Sequence, residues 1–305
     1  MIFFLVPYSL NFIFAFKNKS RKKVAISENK IVNENKNVVD DVEIEKNNSE
    51  SINQIIPEDY IKGVVAAEMP VSFEMEALKA QAVAARTYAI KHYDGTDLKN
   101  LYQAYISVED MKKNWGDNFE KNYKKISDAV DSTKGETIKY NNEMIEAVFH
   151  STSAGFTENS ENVWKTPLPY LKSVDSHEDE QAPNFQVEKK ISLAEVIQKI
   201  NNKYGTALNE KNFMNEFIIG QRTNAGYIKN INVCGKNIDA LEIRMLLGLR
   251  STNFTIKKDG SDIIFTTKGF GHGAGMSQYG ANFMAKQGYD YKQILKHYYS
   301  GVEVE

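Results

Sequence analysis

The chain places one carboxyl group, that of Glu68, where folding would keep it partly protonated near neutral pH. Its apolar neighbours follow the i, i+3, i+4 and i+7 spacing of a single helix face, made of Ile61, Val64, Val65 and Glu68. The glutamate also falls in the last turn of the predicted helix, where unpaired carbonyl groups disfavour a negative charge. Burial and the helix end would both raise the carboxyl pKa, as a general acid requires. The alternative is a helix-end residue that faces solvent.

Two helices must position this carboxyl. The first is predicted from Pro57 to about Met69, because Pro70 cannot continue it. The acidic residues Glu58 and Asp59 suit its positive N-terminal end. The first helix therefore ends at the predicted catalytic carboxyl.

The second helix is predicted after Ser72, a good N-cap residue, and carries the run EMEALKAQAVAARTYAIKHY. Its many alanines leave little side-chain bulk, so other elements should pack closely against it. Gln81 and Tyr88 share one face of this helix, and Lys79 and Arg86 share another. Helix propensity alone explains the alanines, but it leaves Gln81 and Arg86 unexplained.

A second candidate region is the run IEAVFHSTSAG over residues 145–155, which is typical of a short strand followed by a polar turn. Its polar residues are expected at the rim of a site, and they are His150, Ser151, Thr152 and Ser153. Further along, the amphipathic rings of Trp164 and Tyr170 would suit stacking on sugar faces. The alternative is that both are ordinary core aromatics.

A third candidate region near the C-terminus reads KGFGHGAGMSQYGANFMAKQGYDYKQIL. Its alternating glycines would let the backbone approach a ligand closely. His272 lies among them without bulky neighbours in sequence, and Ser277 is expected to cap a helix that ends before Gly288. Neither a dinucleotide-binding glycine pattern nor a Walker loop fits the run. A structural turn with a surface histidine is the alternative.

Other classes of function are disfavoured. Ser153 and Ser277 both lack the G-x-S-x-G context of a serine hydrolase. The single cysteine, Cys234, excludes an intrachain disulfide and a cysteine-rich zinc module. A net charge of −2 gives no basic field, so we expect no nucleic-acid partner. With 42% apolar and 26% charged residues, the 305-residue chain has the composition of a globular protein.

Composition divides the chain into three zones. Residues 1–16, MIFFLVPYSLNFIFAF, are predicted to be a membrane anchor, with an interfacial or buried helix as the alternative. A basic cluster, residues 17–23, follows this run, whereas an export signal carries its positive charge before the apolar run. Either the true start lies upstream, or the basic flank would orient the anchor the wrong way round for export of the domain. Residues 17–53 lack aromatic residues, glycine and proline, and are predicted to be a disordered tether. Residues 54–305 are predicted to form the functional domain.

The middle of that domain predicts its fold class. Leu193 to Tyr204 has helical spacing, whereas Phe217 to Val233 and Phe254 to Phe265 alternate like antiparallel strands. With helices on either side in sequence, the pattern favours an α+β domain over βαβ units.

Two of these segments carry a resemblance to a known family. The runs AAEMPVSFEMEALKAQAVAARTYA and GHGAGMSQYGA resemble the signatures of the stage II sporulation protein D and amidase-enhancer domain family. The resemblance covers approximately residues 54–303, and the family's catalytic acid falls on Glu68. It implies a membrane-tethered peptidoglycan lytic transglycosylase needed for forespore engulfment. The domain would then lie on the extracytoplasmic side, at the engulfing membrane of the mother cell.

The resemblance also implies a glycan-binding groove between the helices and the antiparallel sheet. The substrate would be peptidoglycan glycan strands stripped of stem peptides, and the partners would be stage II sporulation proteins P and M. The groove residues that it implies are Gln81, Arg86, His150, Ser151, Tyr170, His272, Ser277 and Gln278.

The metal site of some family members is not expected here. Those members hold zinc through two histidines and a cysteine, of which His150 matches one. The family spacing puts Phe156 and Glu161 at the other two positions, and phenylalanine cannot bind a metal. We expect no metal and no cofactor.

Three alternatives to a lytic transglycosylase stay open. Amidase enhancers share this domain, so the chain is alternatively a non-catalytic module that binds wall or amidase. A structural scaffold of the engulfment machinery is a second alternative. A conventional glycoside hydrolase is the third, and its products would carry reducing ends instead of anhydro ends.

Overall fold

The computed structural model describes residues 56–101 and 103–305. Its helices are α1 (Glu58–Glu68), α2 (Met75–His92), α3 (Val108–Trp115), α4 (Phe119–Asp131), α5 (Ser160–Trp164), α6 (Leu193–Tyr204), α7 (Phe213–Glu216), α8 (Ala240–Leu247), α9 (Gln278–Lys286) and α10 (Tyr291–Tyr298). Its strands are β1 (Ile138–Tyr140), β2 (Glu143–Met144), β3 (Phe149–His150), β4 (Gln186–Ser192), β5 (Phe217–Ile219), β6 (Asn230–Val233), β7 (Lys236–Asp239), β8 (Phe254–Asp259), β9 (Asp262–Lys268), β10 (Met276–Ser277) and β11 (Glu303–Val304).

Helices combined with largely antiparallel strands confirm the predicted α+β class. The antiparallel sheets have the orders β11-β1-β2, β4-β9-β8 and β5-β6-β7. The predicted anchor and tether, residues 1–16 and 17–53, lie outside the described residues. Within the described part of the chain, no helix has the length and apolar character needed to cross a bilayer.

The first hydrophobic core is built around α2. This helix contacts α1, α4, α9 and α10, and its alanines, including Ala80, Ala84 and Ala85, are fully buried. Small side chains let the neighbouring helices approach closely on several sides at once. The close packing expected from the alanine content is therefore confirmed.

The turn between α1 and α2 differs from the prediction. Glu74, not Ser72, is the residue that precedes α2, and Ser72 is exposed. The backbone N–H of Phe73 donates to Pro70 O at 3.0 Å, which closes a turn and buries the Phe73 ring in the core. The N–H of Glu74 donates to Asn282 Oδ1 of α9 at 2.8 Å. The prediction of a Ser72 cap is wrong because burial of Phe73 delays the helix.

The second hydrophobic core lies in the segment between residues 186 and 268. Strands β4, β9 and β8 form an antiparallel sheet against which α6 packs, with Val196, Ile200, Phe254 and Phe265 in the interior. The predicted helix Leu193–Tyr204 is confirmed at both ends, since the Ser192 side chain caps it and Gly205 ends it in a left-handed conformation. The two predicted strand regions are also confirmed.

A short parallel pairing joins the two polar regions singled out in the sequence. Strand β3 pairs with β10, which places Phe149 opposite Met276 and His150 opposite Ser277. Two segments that are more than a hundred residues apart in sequence are thus adjacent. Because α9 begins directly after β10, this pairing fixes where the first side chain of α9 lies.

Candidate active site

Glu68 is the last residue of α1, and its partly buried carboxyl group is held from two directions. The backbone N–H of Ala104 donates to Glu68 Oε1 at 3.2 Å, and the Gln278 side chain donates a second hydrogen bond. Burial raises the pKa of the Glu68 carboxyl from its ordinary 4.5 to about 7, against the lowering effect of both hydrogen bonds. The carboxyl is therefore present in both protonation states near neutral pH.

Two glutamines link this carboxyl to the helices behind it. Gln278 Nε2 donates to Gln81 Oε1 at 3.3 Å, and both side chains are buried. Glu68 of α1, Gln81 of α2 and Gln278 of α9 thus form one chain of contacts. Gln81 Nε2 is buried and has no hydrogen-bond partner among the described residues. The structure brings together these three residues, which the sequence resemblance assigns to one site.

Ser277 holds the start of α9 in place. Its side chain accepts from the backbone N–H of Gly280 at 3.2 Å, which confirms the predicted cap, and it donates to Asp179 Oδ1 at 2.9 Å. The other carboxylate oxygen of Asp179 accepts from the Ser153 N–H at 2.7 Å and the Ser176 hydroxyl at 3.1 Å. Burial raises the pKa of Asp179 to about 6 despite these hydrogen bonds. Ser277 therefore acts on the site by anchoring Gln278.

His150 of β3 and His272, in the loop before β10, form a buried pair. Their ring centroids lie 5.6 Å apart, and the Trp164 ring lies 5.1 Å from that of His272. His150 Nδ1 donates to the carbonyl of Ala274 at 3.1 Å, and the N–H of Ala274 donates to His272 Nδ1 at 3.2 Å. Burial lowers both pKa values, that of His150 to about 4, so both imidazoles are neutral at pH 7. His272 has no bulky neighbours in sequence but is buried in the fold, so the alternative of a surface histidine is wrong.

The alternating glycines accommodate the protein's own chain. Gly271 has φ of +124°, and a Cβ there would lie 2.6 Å from His150 Cβ. Gly273 has φ of +86°, and a Cβ there would lie 2.8 Å from the Tyr227 ring. Left-handed backbone and close approach both require glycine at these positions. The close contact that the sequence assigns to a ligand is thus made by protein groups.

Two predicted groove residues have structural partners. The Arg86 guanidinium is buried and donates to both carboxylate oxygens of Glu58, at 2.9 and 2.7 Å, at the opposite end of α1 from Glu68. It also donates to the carbonyls of Val130 and Glu136. Ten residues of α-helix, roughly 15 Å, separate Glu58 from the catalytic candidate. Protein groups therefore engage the Arg86 guanidinium, and its assignment to the groove stays a prediction.

Tyr170 is likewise part of the first core. Its hydroxyl accepts from the backbone N–H of Glu146 at 3.0 Å, and its ring lies 5.5 Å from that of Tyr140. Stacking on a sugar needs an exposed ring face, so this burial corrects the prediction for Tyr170. Ser151 is partly buried; its hydroxyl shares a hydrogen bond with Thr152 Oγ1 at 3.2 Å, and its carbonyl accepts from the Tyr279 N–H at 3.0 Å.

Comparison with known proteins identifies the family. A family model described as Stage II sporulation protein matches residues 45–140, and one described as Domain of unknown function (DUF8618) matches residues 109–275. The chain is 42% identical over 274 residues to Stage II sporulation protein D of Bacillus amyloliquefaciens, covering 86% of this chain and 78% of the relative. It is 43% identical over 267 residues to Stage II sporulation protein D of Bacillus subtilis (strain 168), with 84% and 76% covered. The chain belongs to the stage II sporulation protein D family.

A more distant likeness extends to an amidase enhancer, the second kind of protein in the resemblance seen in the sequence. The chain is 29% identical over 293 residues to the amidase enhancer of Bacillus subtilis (strain 168), covering 79% of this chain and 39% of that protein. The family resemblance inferred from the two signature runs is therefore confirmed.

The zinc set found in some members of the stage II sporulation protein D family does not fit this chain. The Phe156 ring meets that of the exposed His177 edge to face, and Glu161 forms an ion pair with Lys172 at 3.3 Å. The remaining position, His150, has a buried Nε2 without a partner among the described residues. Across residues 56–101 and 103–305, no group of three or more histidine, cysteine, aspartate or glutamate side chains could hold a metal. The absence of a cofactor stays a prediction.

Two groups that shape the site, the Ala104 N–H and the Asp179 carboxylate, are not evident from the sequence. The Ala104 N–H lies in the loop between α2 and α3. It is a backbone group that donates to Glu68, so the type of side chain at position 104 does not indicate the hydrogen bond. Asp179 lies in the run DSHEDE, which looks like a solvated acidic surface. Its neighbours in that run are more exposed, so composition does not distinguish the one buried carboxylate.

Proposed function

We propose that this member of the stage II sporulation protein D family is a peptidoglycan lytic transglycosylase. It cleaves the β-1,4 bond between MurNAc and GlcNAc without consuming water. One observation carries the proposal: the Glu68 carboxyl at the end of α1 is held by the Ala104 N–H and the Gln278 side chain, in a setting whose burial raises its pKa to about 7. A group with this pKa can give up a proton and take one back at physiological pH, as a combined acid and base must.

The mechanism uses Glu68 twice. Protonated Glu68 donates to the leaving glycosidic oxygen, and positive charge develops at the anomeric carbon of the muramyl ring. The resulting carboxylate then removes the proton of the muramyl 6-hydroxyl, which closes on the anomeric carbon to give a 1,6-anhydro ring. The substrate itself supplies the nucleophile, already held near the reacting carbon, so one carboxyl group suffices where ordinary glycosidases need two.

The electrostatics of the carboxyl support a mechanism with a single acid. Among the described residues, burial accounts for the raised pKa, opposed by the hydrogen bonds from Ala104 and Gln278. A second carboxylate at close range would raise the pKa through charge repulsion. Gln278 donates to the Glu68 carboxylate, so it orients the group and stabilises its basic form. Gln81 Oε1 accepts from Gln278 and so supports the orientation of that side chain.

The biological setting belongs to the proposal as well, and it is the one that the family resemblance implies. The substrate is peptidoglycan glycan strands stripped of stem peptides, and the process is forespore engulfment during sporulation. The chain would be anchored in the engulfing membrane of the mother cell through residues 1–16, with the domain on the extracytoplasmic side. Stage II sporulation proteins P and M would be its partners.

The test compares the purified chain with two matched variants on peptide-free glycan strands. Glu68→Gln keeps the shape of the side chain but cannot transfer a proton, so cleavage should fall roughly 100- to 10,000-fold. Glu74→Gln makes the same chemical change at an exposed position six residues further on and should retain activity. Equal activity of wild type and Glu68→Gln would refute the proposal.

The second candidate function is a non-catalytic module that binds the wall or an amidase. The 29% identity to the amidase enhancer, over 79% of this chain, favours it specifically. In that case the folded wild type binds glycan strands without producing fragments, and Glu68→Gln binds equally well. Fragments from wild type alone would exclude this candidate.

A further inference from the structure

The loop that follows α2 is tied tightly to α1 and to the catalytic candidate. Ile106 N–H donates to Gly63 O at 3.2 Å, and Ala104 N–H donates to Glu68 Oε1 at 3.2 Å. Gln103 Nε2 donates to Ala85 O of α2 at 3.2 Å. The loop is therefore fixed at three successive points, and one of them is the carboxyl group itself.

This close packing explains a glycine in the interior of α1. A Cβ at Gly63 would overlap the Tyr105 ring and would lie 2.9 Å from Ile106 O. Glycine destabilises a helix interior relative to alanine, so a glycine at position 63 indicates that packing leaves no room for a side chain there. The reason is that the Tyr105 ring lies directly over the helix backbone.

Tyr105 presents the most exposed large apolar side chain among the described residues. Its ring is stacked on that of Tyr60, with centroids 5.5 Å apart and an interplanar angle of 9°. Tyr60 is buried, whereas Tyr105 is 53% exposed. Stacking thus covers one face of the Tyr105 ring and leaves the outer face open.

The stacked pair lies within electrostatic range of the carboxyl group. Burial raises the pKa of the Tyr60 hydroxyl, and the neighbouring Tyr105 and Glu68 raise it further. Together with the Ala104 hydrogen bond, this places an exposed, rigidly supported aromatic face beside the proton donor.

We infer that Tyr105 is a sugar-binding subsite of this site, which packs its outer face against a pyranose ring of the bound glycan strand. The C–H groups on one face of a pyranose are apolar, and an aromatic ring that is already held in place covers them at little entropic cost. The inference rests on the proposed function for the identity of the ligand. It does not depend on bond cleavage.

The experiment measures equilibrium binding of soluble peptide-free glycan strands to the full chain carrying Glu68→Gln, so that the ligand is not consumed. Adding Tyr105→Ala should raise Kd roughly three- to tenfold. Tyr105→Phe keeps the ring and should leave Kd unchanged. Tyr289→Ala removes a comparable tyrosine, 43% exposed and outside this loop, and is the control. A thermal melt of each variant checks that the fold is retained.

A second readout reports contact directly. Tyr105→Trp places an indole at the subsite, and its fluorescence should change on addition of glycan strands beyond the change seen in the parent chain. In the active chain, Tyr105→Ala should raise KM more than it lowers kcat, whereas a purely structural role would reduce kcat and stability instead.

The outcomes separate this inference from the proposed function. Tyr105-dependent binding without cleavage by wild type would support the subsite and refute the transglycosylase. Cleavage by wild type, with Kd and KM unchanged in Tyr105→Ala, would overturn the subsite and leave the transglycosylase standing. Absence of saturable glycan binding by the Glu68→Gln chain would also overturn the subsite.

Discussion

The raised pKa of Glu68 predicts a stability cost that grows with pH. A folded-state pKa of about 7, against 4.5 when exposed, means that the folded protein holds a proton that the unfolded chain has lost between these two values. The stabilising effect of protonated Glu68 is thus complete below about pH 4.5 and disappears as pH rises through 7. The change corresponds to about 3 kcal/mol in the free energy of unfolding.

Replacing Glu68 by glutamine removes this dependence. The free energy of unfolding of Glu68→Gln, minus that of wild type, should therefore increase by about 3 kcal/mol between pH 4 and pH 8.5, with most of the increase below pH 7.5. Effects of the substitution that do not involve the proton are the same at every pH and cancel.

The assay is urea unfolding of wild type and Glu68→Gln at half-unit pH intervals, followed by circular dichroism. Glu74→Gln is the matched control, and its difference curve should lack the step. A difference curve for Glu68→Gln that stays flat within about 0.5 kcal/mol, or that falls as pH rises, would refute the reasoning. A flat curve would mean that the pKa of the Glu68 carboxyl is the same in the folded protein as in the unfolded chain.

Four further predictions follow from particular contacts. Gly63→Ala should displace the Tyr105 loop, remove the hydrogen bond that lowers the Glu68 pKa, and move the alkaline limb of the kcat/KM profile to higher pH; an unchanged profile would contradict this. Asp179→Asn should turn an amide towards buried donors and lower the free energy of unfolding by about 2–4 kcal/mol in urea, whereas a neutral effect would contradict the network. Arg86→Met should leave Glu58 uncompensated and lower the free energy of unfolding by about 3–5 kcal/mol; unchanged stability with weakened glycan binding would contradict this and place Arg86 in the groove. Treatment with a chelator should leave activity unchanged, and elemental analysis showing stoichiometric zinc would contradict the absence of a metal.

Local patterns predicted what local physics decides. The apolar stripe of α1 and Pro70 place Glu68 at a helix end, and the structure has it there. Ser277 caps α9, and α6 spans the predicted residues, because capping and helical spacing involve only near neighbours. The raised pKa of Glu68 follows from the burial that the stripe predicts.

Contacts between distant segments account for what the sequence did not predict. His272 has small neighbours in sequence, yet tertiary packing buries it between His150 and Trp164. Tyr170 has the amphipathic ring of a sugar-stacking residue, but it lies in the core. An aromatic residue gives no sequence signal of which face is exposed, and here the exposed ring beside the site is that of Tyr105.

Backbone groups are the other source of missed features. The hydrogen bond from the Ala104 N–H to Glu68 depends on a loop conformation that the side-chain types in the loop do not predict. The glycines around His272 are informative about close approach, but the sequence does not say whether the approaching group is a ligand or the protein. Only the fold decides between the two.

In the proposed mechanism, Glu68 transfers protons within the substrate and water takes no part. This mechanism is tested most directly by digesting peptide-free glycan strands with the purified chain in water enriched in oxygen-18 and weighing the products by mass spectrometry. Transglycosylase action predicts anhydro-muramyl ends, each lighter by one water than a reducing end and free of the heavy isotope, from wild type and not from Glu68→Gln. Reducing ends that carry oxygen-18 would contradict it, because they would show that water is the nucleophile.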